Sequence, residues 1–171
     1  MPPFAAPEES VGADPMRETL AHLLTLGAPR APERDSLEAW GRAVGAVLPR
    51  PVVITLEGDL GAGKTTLARA LCAGIGVADL DAVTSPTFSL VQQYPAPRGP
   101  VVHVDLYRLR SDAELMALGW DELVATAPVL LVEWPELAAH TLPADTIGMT
   151  LSHDPDDVTR RLLGVTSPLA R

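Results

Sequence analysis

"EGDLGAGKTT", residues 57–66, contains Lys64, the only lysine among the 171 residues of the chain. Residues 58–65 fit the pattern G-x-x-x-x-G-K-[ST] of a phosphate-binding loop, or P-loop. Glycines let backbone N–H groups converge on a phosphate, and a following helix points its positive N-terminal end at the same anion. An apolar, β-branched stretch before the loop predicts a buried strand, and the residues after it predict a helix. This context favours a phosphate site over a chance glycine-rich turn.

The last two residues of this loop carry the side chains that a nucleotide and its metal ion require. Lys64 places a compact cation near the β- and γ-phosphates, and the Thr65 hydroxyl is sited to bind Mg²⁺. Such a metal site also needs an acidic residue at the end of a neighbouring strand. Asp105 and Glu133 each end a short apolar segment that is predicted as a buried strand. Because the carboxyl ends of parallel strands line the ligand crevice, we expect at least one of these acids at the metal site.

Strands and helices alternate along the chain, which predicts an α/β fold. The pattern is that of a three-layer α/β/α P-loop NTPase sandwich with a parallel-cored sheet. A helix broken at Gly119 is predicted between the two acid-ended strands. After them, the turn signal HDPDD separates two further strands, which predicts a C-terminal antiparallel hairpin. The predicted strands cover residues 52–58, 101–105, 129–133, 146–152 and 159–167.

The N-terminal part of the chain gives weaker signals. Residues 1–15 are rich in proline and poor in large apolar side chains, so they predict a disordered tail. We expect the rest, residues 16–171, to form a single P-loop ATPase domain. Residues 22–26, HLLTL, are interpreted as a short edge strand, and Ser36 is predicted to cap the helix that follows.

Composition excludes several classes of protein. The net charge of −9 and the absence of long basic runs argue against direct binding of nucleic acid. No apolar run approaches the roughly 20 residues of a membrane span, and the N-terminus lacks the pattern of a signal peptide. A single cysteine excludes an internal disulfide. These features fit a cytoplasmic protein.

Four other residues have more than one interpretation. Thr87 lies in the segment 84–94, where nucleotide switches keep a Mg²⁺-sensing threonine, although the Ser-Pro before it could form a plain turn. Trp134 follows Glu133 and is either a nucleotide contact or a packed tryptophan. His103 lies within a predicted strand, where a hydrogen-bonded core histidine is commoner than a catalyst. Cys72, on the P-loop helix, is expected to serve packing alone.

Three classes of P-loop protein remain to be separated. A GTPase reads guanine through an N-K-x-D motif, but the chain has no asparagine and its one lysine is in the P-loop, so ATP is the expected nucleotide. A small-molecule kinase would close an arginine-bearing lid on the phosphates. Arg108 and Arg110 follow Asp105 directly instead of lying in a separate lid. An interaction module that ATP switches, with negligible turnover, is the third class.

Four motifs together resemble one known family, the TsaE (YjeE) family of bacterial P-loop ATPases. The resemblance covers about residues 33–167, and its most specific part is the combination of DLYRL with VEWPE. It implies a Mg²⁺-dependent ATPase required for threonylcarbamoyl modification of the tRNA adenosine next to the anticodon. It also implies that the protein acts together with TsaB and TsaD and contacts tRNA only indirectly, through their complex. The four motifs are LEGDLGAGKTTLARAL, SPTFSLVQQY, VVHVDLYRL and LVEWPE.

The resemblance also implies roles for single residues. Thr65 and Glu133 would hold Mg²⁺, and Asp105 would act through the metal's water or by orienting the attacking water. Thr87 would be the switch-like threonine, and Trp134 would lie beside the site. The catalytic residues would be Lys64, Asp105 and Glu133. The residues that wrap the ATP phosphates would be Gly61, Ala62, Gly63, Lys64, Thr65 and Thr66.

Two features limit what the resemblance implies. Family members often have a threonine early in the first helix, where this chain has Ser36 and Leu37, so the adenine contacts near Arg34 stay unassigned. The sequence also offers no evident arginine finger, and hydrolysis by the chain alone is therefore expected to be weak.

Overall fold

Six strands form one sheet in the computed structural model, which describes residues 15–25, 33–157 and 159–167. The sheet order is β2-β3-β4-β1-β5-β6. The strands β3, β4, β1 and β5 run parallel to their neighbours, whereas β2 and β6 pair antiparallel at the two edges. In chain order the strands are β1 (Val52–Glu57), β2 (Val91–Tyr94), β3 (Val101–Asp105), β4 (Val129–Glu133), β5 (Ile147–His153) and β6 (Arg161–Thr166). The predicted parallel core and C-terminal hairpin are thus confirmed.

In the part of the chain that the structure describes, five α-helices and one 3₁₀ helix pack around this sheet. A glycine with a φ of +78°, Gly119, separates α4 from α5, as the sequence predicts. Positive φ suits glycine, which has no Cβ to clash. The helices are α1 (Pro15–Thr25), α2 (Arg34–Val47), α3 (Lys64–Ile75), α4 (Asp112–Ala117), α5 (Trp120–Thr126) and the 3₁₀ helix Pro135–Thr141. No described helix is both long enough and apolar enough to cross a bilayer.

The two faces of the sheet are buried by different helices. Side chains of a strand alternate between faces, so Ile54 and Leu56 of β1 join one apolar cluster and Val53 joins the other. The first cluster contains residues of α1, α2 and α3, and the second contains residues of α4, α5 and the 3₁₀ helix. The predicted three-layer α/β/α arrangement is therefore present.

Helices α2 and α3 lie unusually close together, and glycine allows it. A Cβ added to Gly45 of α2 would clash with the carbonyl oxygen of Leu71, and one added to Gly74 of α3 would clash with that of Arg42. Backbone thus meets backbone at this contact. Because α3 begins at Lys64, the contact also fixes the helix that follows the P-loop.

Two predictions for secondary structure are wrong, and one strand was not predicted. Residues 22–25 of the expected edge strand belong to α1, because Leu20 and Leu24, one helical turn apart, are both buried. Ser36 does not cap α2, since the cap position is Glu33 and the helix begins at Arg34. Strand β2 has no counterpart among the predicted strands. The expected tail lies outside the described residues, apart from Pro15, the first residue of α1.

Candidate functional site

The P-loop connects the end of β1 to the start of α3, at the edge where the parallel strands have their carboxyl ends. Register brings both acids to this edge, because Asp105 pairs with Glu133, which pairs in turn with Leu56 of β1. A cavity of about 320 Å³ opens there. We call it the P-loop cavity; it is lined by Leu60, Gly61, Gly63, Lys64, Thr65, Thr66, Ser85, Thr87, Asp105, Tyr107, Glu133 and Trp134.

Two glycines shape the loop for an anion. Gly61 and Gly63 have φ values of +78° and +106°, and a Cβ added to either would meet no atom within 4 Å. Both glycines line the P-loop cavity. The missing Cβ atoms therefore leave open space where backbone N–H groups can meet a phosphate. The N-terminus of α3 adds its positive dipole end to the same place.

Lys64 is held inside the loop that it serves. Its Nζ donates hydrogen bonds to the carbonyl oxygens of Gly58 and Asp59, at 2.6 and 2.9 Å. Only 5% of the residue is exposed. Burial lowers the pKa of Lys64, and the negative charges of Glu133 and Asp105 partly offset that effect. The ammonium is thus held by loop carbonyl oxygens, and Lys64 lines the same cavity as the two acids.

Glu133 joins the P-loop helix to the sheet. Its Oε1 accepts a hydrogen bond from the Thr65 hydroxyl at 3.0 Å and also lies 3.0 Å from Nε2 of His103. Neither contact uses Oε2. The two residues predicted to hold Mg²⁺, Thr65 and Glu133, are therefore in direct contact.

Asp105 is held by the segment 84–94, which contains the predicted switch-like residue Thr87. Its Oδ2 accepts hydrogen bonds from Thr87 at 2.6 Å and from Ser85 at 2.8 Å. Its Oδ1 accepts one from the backbone N–H of Tyr107 at 2.9 Å. Thr87 thus contacts the acid of the site directly, and Ser85, which could have been a plain turn residue, does the same.

Trp134 covers Lys64. Its ring centroid lies 4.0 Å from the lysine Nζ, a cation–π contact. Its ring also packs at 4.8 Å against Tyr107. The backbone of Trp134 has a φ of +57°, which is uncommon for a bulky residue and turns the chain sharply after β4. Trp134 is therefore part of the cavity wall.

A second cavity, of about 190 Å³, adjoins the P-loop and shares Gly61, Gly63 and Thr66 with the P-loop cavity. Arg161 links strand β6 to the P-loop, because its Nε donates a hydrogen bond to the Ala62 carbonyl oxygen at 3.1 Å. Ala62, which was predicted to contact the ATP phosphates, lines this second cavity. We call it the hairpin cavity; it is lined by Arg34, Leu37, Gly61, Ala62, Gly63, Thr66, Thr159 and Arg161.

The donor set of the P-loop cavity fits magnesium. A hydroxyl and two carboxylates are hard oxygen ligands, and Mg²⁺ typically takes one or two carboxylates together with substrate phosphates and water. Within residues 15–25, 33–157 and 159–167, no cluster of three His, Cys, Asp or Glu side chains could hold a metal alone. In P-loop sites the phosphates of the nucleotide supply further ligands to the metal.

The structure brings the predicted site residues together at one sheet edge. Apart from Ala62, all of them line the P-loop cavity. Sequence reasoning missed Ser85, Tyr107 and Arg161. Ser85 and Tyr107 are each two residues from a predicted site residue, so their neighbourhood was a usable signal. Arg161 had none, because 99 positions separate it from Ala62.

Comparisons with known proteins point to one family. The family model described as "Threonylcarbamoyl adenosine biosynthesis protein TsaE" matches residues 31–162. Three proteins named "tRNA threonylcarbamoyladenosine biosynthesis protein TsaE" are similar to the chain. The one from Bacillus subtilis (strain 168) is 39% identical over 105 residues, 61% of this chain and 64% of that protein. The alignment thus spans less than two thirds of that relative's length.

The other two relatives are covered more fully. The protein from Rickettsia bellii is 35% identical over 133 residues, 78% of this chain and 90% of that protein. The protein from Haemophilus influenzae is 33% identical over 141 residues, 80% of this chain and 88% of that protein. Among solved structures, the crystal structure of Bacillus subtilis YdiB superposes with a TM-score of 0.61 at 28% identity, covering 80% of this chain and 81% of that one.

Proposed function

Because this chain belongs to the TsaE family, we propose that it is a Mg²⁺-dependent ATPase for threonylcarbamoyl modification of the tRNA adenosine next to the anticodon. The proposal includes work with the TsaB–TsaD complex, a cytoplasmic location and a single P-loop domain over residues 16–171. The relatives' names support the tRNA modification, and the site supports the nucleotide chemistry.

One observation carries the nucleotide part of the proposal. Lys64, Thr65, Asp105 and Glu133 line one cavity, although up to 69 positions separate them along the chain. The Thr65 hydroxyl and the Glu133 carboxylate are already in contact at 3.0 Å. A chance glycine-rich turn would have no reason to face two buried acids at the ends of neighbouring strands.

The P-loop would bind the phosphates of ATP. Backbone N–H groups at Gly61 and Gly63 have open space in front of them, and the dipole of α3 favours an anion there. Lys64 would exchange its two carbonyl partners for phosphate oxygens, a charge-assisted and therefore stronger bond. Trp134 would keep the ammonium covered from water on one side.

The acids and the hydroxyl would organise the reacting end. Mg²⁺, when bound, would neutralise charge on the β- and γ-phosphates. Thr65 and Glu133 would hold that ion through their oxygen atoms. Asp105 would accept a hydrogen bond from a water, either one on the metal or the one that attacks the γ-phosphate. Ser85 and Thr87 keep its Oδ2 in place, so movement of their loop would change the acid's position.

The nucleoside would bind in the hairpin cavity. The hairpin cavity adjoins the phosphate loop and contains the Arg34 and Leu37 side chains, where adenine contacts were unassigned. An apolar side chain beside polar groups suits a base and its sugar. The absence of asparagine from the chain rules out the N-K-x-D guanine motif, so ATP is the proposed nucleotide.

Turnover by the chain alone is proposed to be weak. The lining of the P-loop cavity includes no arginine among the described residues, so the usual source of transition-state charge stabilisation is missing there. Arg108 instead stacks 4.3 Å over the Phe88 ring, which is 85% exposed. Neither Arg108 nor Arg110 lines the P-loop cavity, which favours the ATPase over a small-molecule kinase.

Contact with tRNA is proposed to be indirect. The net charge of −9 opposes binding of a polyanion, because nucleic-acid affinity comes mainly from basic side chains that meet phosphates. A protein of this charge would act on the modification through protein partners. The TsaB–TsaD complex is the partner that the family resemblance implies.

Co-purification with TsaB and TsaD tests the proposal. The wild-type chain and the Lys64→Ala variant would each be mixed with the two proteins, with and without Mg-ATP, and separated by gel filtration. We expect a complex with the wild-type chain that responds to ATP, and no such response with Lys64→Ala. If the wild-type chain forms no ATP-sensitive complex, the partnership is wrong. Rapid phosphorylation of a metabolite without any partner would establish the kinase alternative.

A further inference from the structure

His103 is a polar side chain in the middle of the sheet. It lies on β3, opposite Gln92 of β2 and Leu131 of β4, and its exposed fraction is 0%. It shares a strand face with Asp105, two residues further on. A buried imidazole must find hydrogen-bond partners, since a buried polar group without a partner destabilises the fold. Its partners therefore show what the ring does.

Both ring nitrogens of His103 have a partner. Nε2 lies 3.0 Å from Oε1 of Glu133, and Nδ1 lies 3.3 Å from the Tyr94 hydroxyl. A carboxylate can only accept, so Nε2 carries the hydrogen and donates to Glu133. The Tyr94 hydroxyl has one hydrogen, for which Nδ1 of the neutral ring and the nearer Oε1 of Gln92 compete as acceptors. Burial raises the pKa of Tyr94 to about 12, so its hydroxyl keeps the hydrogen.

Tyr94 is itself fixed by the strand that carries it. Its hydroxyl lies 2.7 Å from Oε1 of Gln92 and 3.4 Å from the carbonyl oxygen of Thr84. Only 4% of the residue is exposed. Tyr94, His103 and Glu133 thus form a buried row that crosses from β2 through β3 to β4 and ends at the P-loop cavity.

The row restricts the Glu133 carboxylate. A glutamate has three side-chain torsions, and a buried one without partners could turn its oxygens away from the cavity. Here Oε1 is held from two elements, by His103 of β3 and by Thr65 of α3. The hydrogen bonds from Thr65 and His103 occupy both lone pairs of Oε1, so Oε2 is the oxygen left to contact a ligand.

We propose that His103 is a positioning residue for the ATPase site, which holds the Glu133 carboxylate toward the metal and the phosphates, while Tyr94 holds the ring. The role resembles that of outer-shell hydrogen-bond partners in metal sites, whose loss typically costs about 10–100-fold in metal affinity or activity. It rests on the proposed function, because it requires that Glu133 serve a magnesium-bound nucleotide.

The test measures nucleotide binding, without turnover. Binding of a fluorescent ATP analogue would be titrated at saturating Mg²⁺, in EDTA, and across Mg²⁺ concentrations. The variants are His103→Leu, which removes both ring contacts, and His103→Gln, which keeps an N–H donor within reach of Glu133. Tyr94→Phe removes one hydroxyl and keeps the ring. The control is His140→Leu, the same change at an exposed histidine of the 3₁₀ helix.

We expect His103→Leu to raise the half-saturating Mg²⁺ concentration about 10–100-fold, with little change in the affinity measured in EDTA. His103→Gln should recover most of the loss, Tyr94→Phe should cause a smaller loss, and His140→Leu should match the wild type. Melting temperatures would be recorded for all four variants.

Two results would overturn the positioning role while leaving the proposed function intact. One is a wild-type Mg²⁺ dependence in His103→Leu or, should that variant not fold, in both Tyr94→Phe and His103→Gln. The other is an equal loss of affinity with and without Mg²⁺ that His103→Gln does not restore, since that marks a purely structural histidine. If the wild-type chain itself shows no Mg²⁺-dependent binding, the proposed function fails and the role of His103 fails with it.

Discussion

An alanine at Gly61 should separate the fold of the P-loop from its function. Gly61 has a φ of +78°, and a Cβ there would meet no protein atom within 4 Å. Gly119, between α4 and α5, has the same φ of +78° and the same open surroundings. Gly61→Ala and Gly119→Ala therefore impose the same backbone strain and the same added methyl group. They differ only in place, because Gly61 lines the P-loop cavity and Gly119 does not.

The expected magnitudes follow from this geometry. A left-handed backbone conformation costs a non-glycine residue about 1–2 kcal/mol, so the free energy of unfolding should fall by that amount in both variants. For a chain of this size, each kcal/mol lowers the melting temperature by roughly 2–4 °C. In Gly61→Ala the Cβ also occupies the space where a phosphate approaches the loop. Losing one hydrogen bond to a charged group costs about 1.5–3 kcal/mol. Since about 1.4 kcal/mol is tenfold, nucleotide binding should weaken about 10–100-fold.

Two assays on each variant check these values. Thermal unfolding followed by circular dichroism gives the stability, and titration with a fluorescent ATP analogue gives the affinity. We expect similar melting temperatures for the two variants and weak binding in Gly61→Ala alone. Wild-type nucleotide affinity in Gly61→Ala would refute the phosphate cradle. Equal loss of affinity in Gly119→Ala would show that backbone strain, and not the added Cβ, weakens binding.

Three further predictions follow from single side chains. Lys64→Ala should weaken ATP binding at least tenfold, as measured by titration calorimetry, because it removes the ammonium that would meet the phosphates; unchanged affinity would contradict the assignment. Glu133→Gln should lose Mg²⁺-stimulated ATP hydrolysis in a phosphate-release assay while keeping a melting temperature near that of the wild type. If only Asp105→Asn does so, the roles of the two acids must be exchanged. Burial raises the pKa of Tyr94 from 10.0 to about 12, so the unfolded chain ionises first and the free energy of unfolding should fall between pH 10 and 12. Chemical denaturation should show a smaller fall in the free energy of unfolding for Tyr94→Phe than for the wild type. Tyr107→Phe, a change at an exposed tyrosine, should match the wild type. Equal pH dependence of the two variants would contradict the raised pKa of Tyr94.

The central part of the fold and site was predictable because its signals are local. A run of buried β-branched residues, a glycine-rich turn and a helical pattern are adjacent in the chain around Lys64. Asp105 and Glu133 were found because each directly follows four apolar or buried strand residues, and parallel strands present such ends at one edge.

What the sequence could not provide depends on contacts between distant residues. The five-residue run at 22–26 fits a strand or a helix, and only the packing of Leu20 and Leu24 settles the choice. Arg161 reaches the P-loop because the β5–β6 hairpin pairs with β1 through β5. No local sequence pattern predicts this pairing. The partners of His103 come from β2 and β4, so its role could be recognised only after the strands were paired.

The most direct test of the proposed function is reconstitution of the modification itself. Unmodified tRNA would be incubated with Mg-ATP, TsaB, TsaD and threonylcarbamoyl-adenylate, the intermediate that TsaC supplies in the family that the chain resembles. Threonylcarbamoyladenosine would be quantified by mass spectrometry of the digested tRNA. Parallel reactions would contain the wild-type chain, the Lys64→Ala variant or neither. We predict repeated turnover only with the wild-type chain, and a low, early plateau in the other two reactions. Equal yields with the wild-type chain and with Lys64→Ala would contradict the claim that nucleotide binding at this P-loop drives the modification.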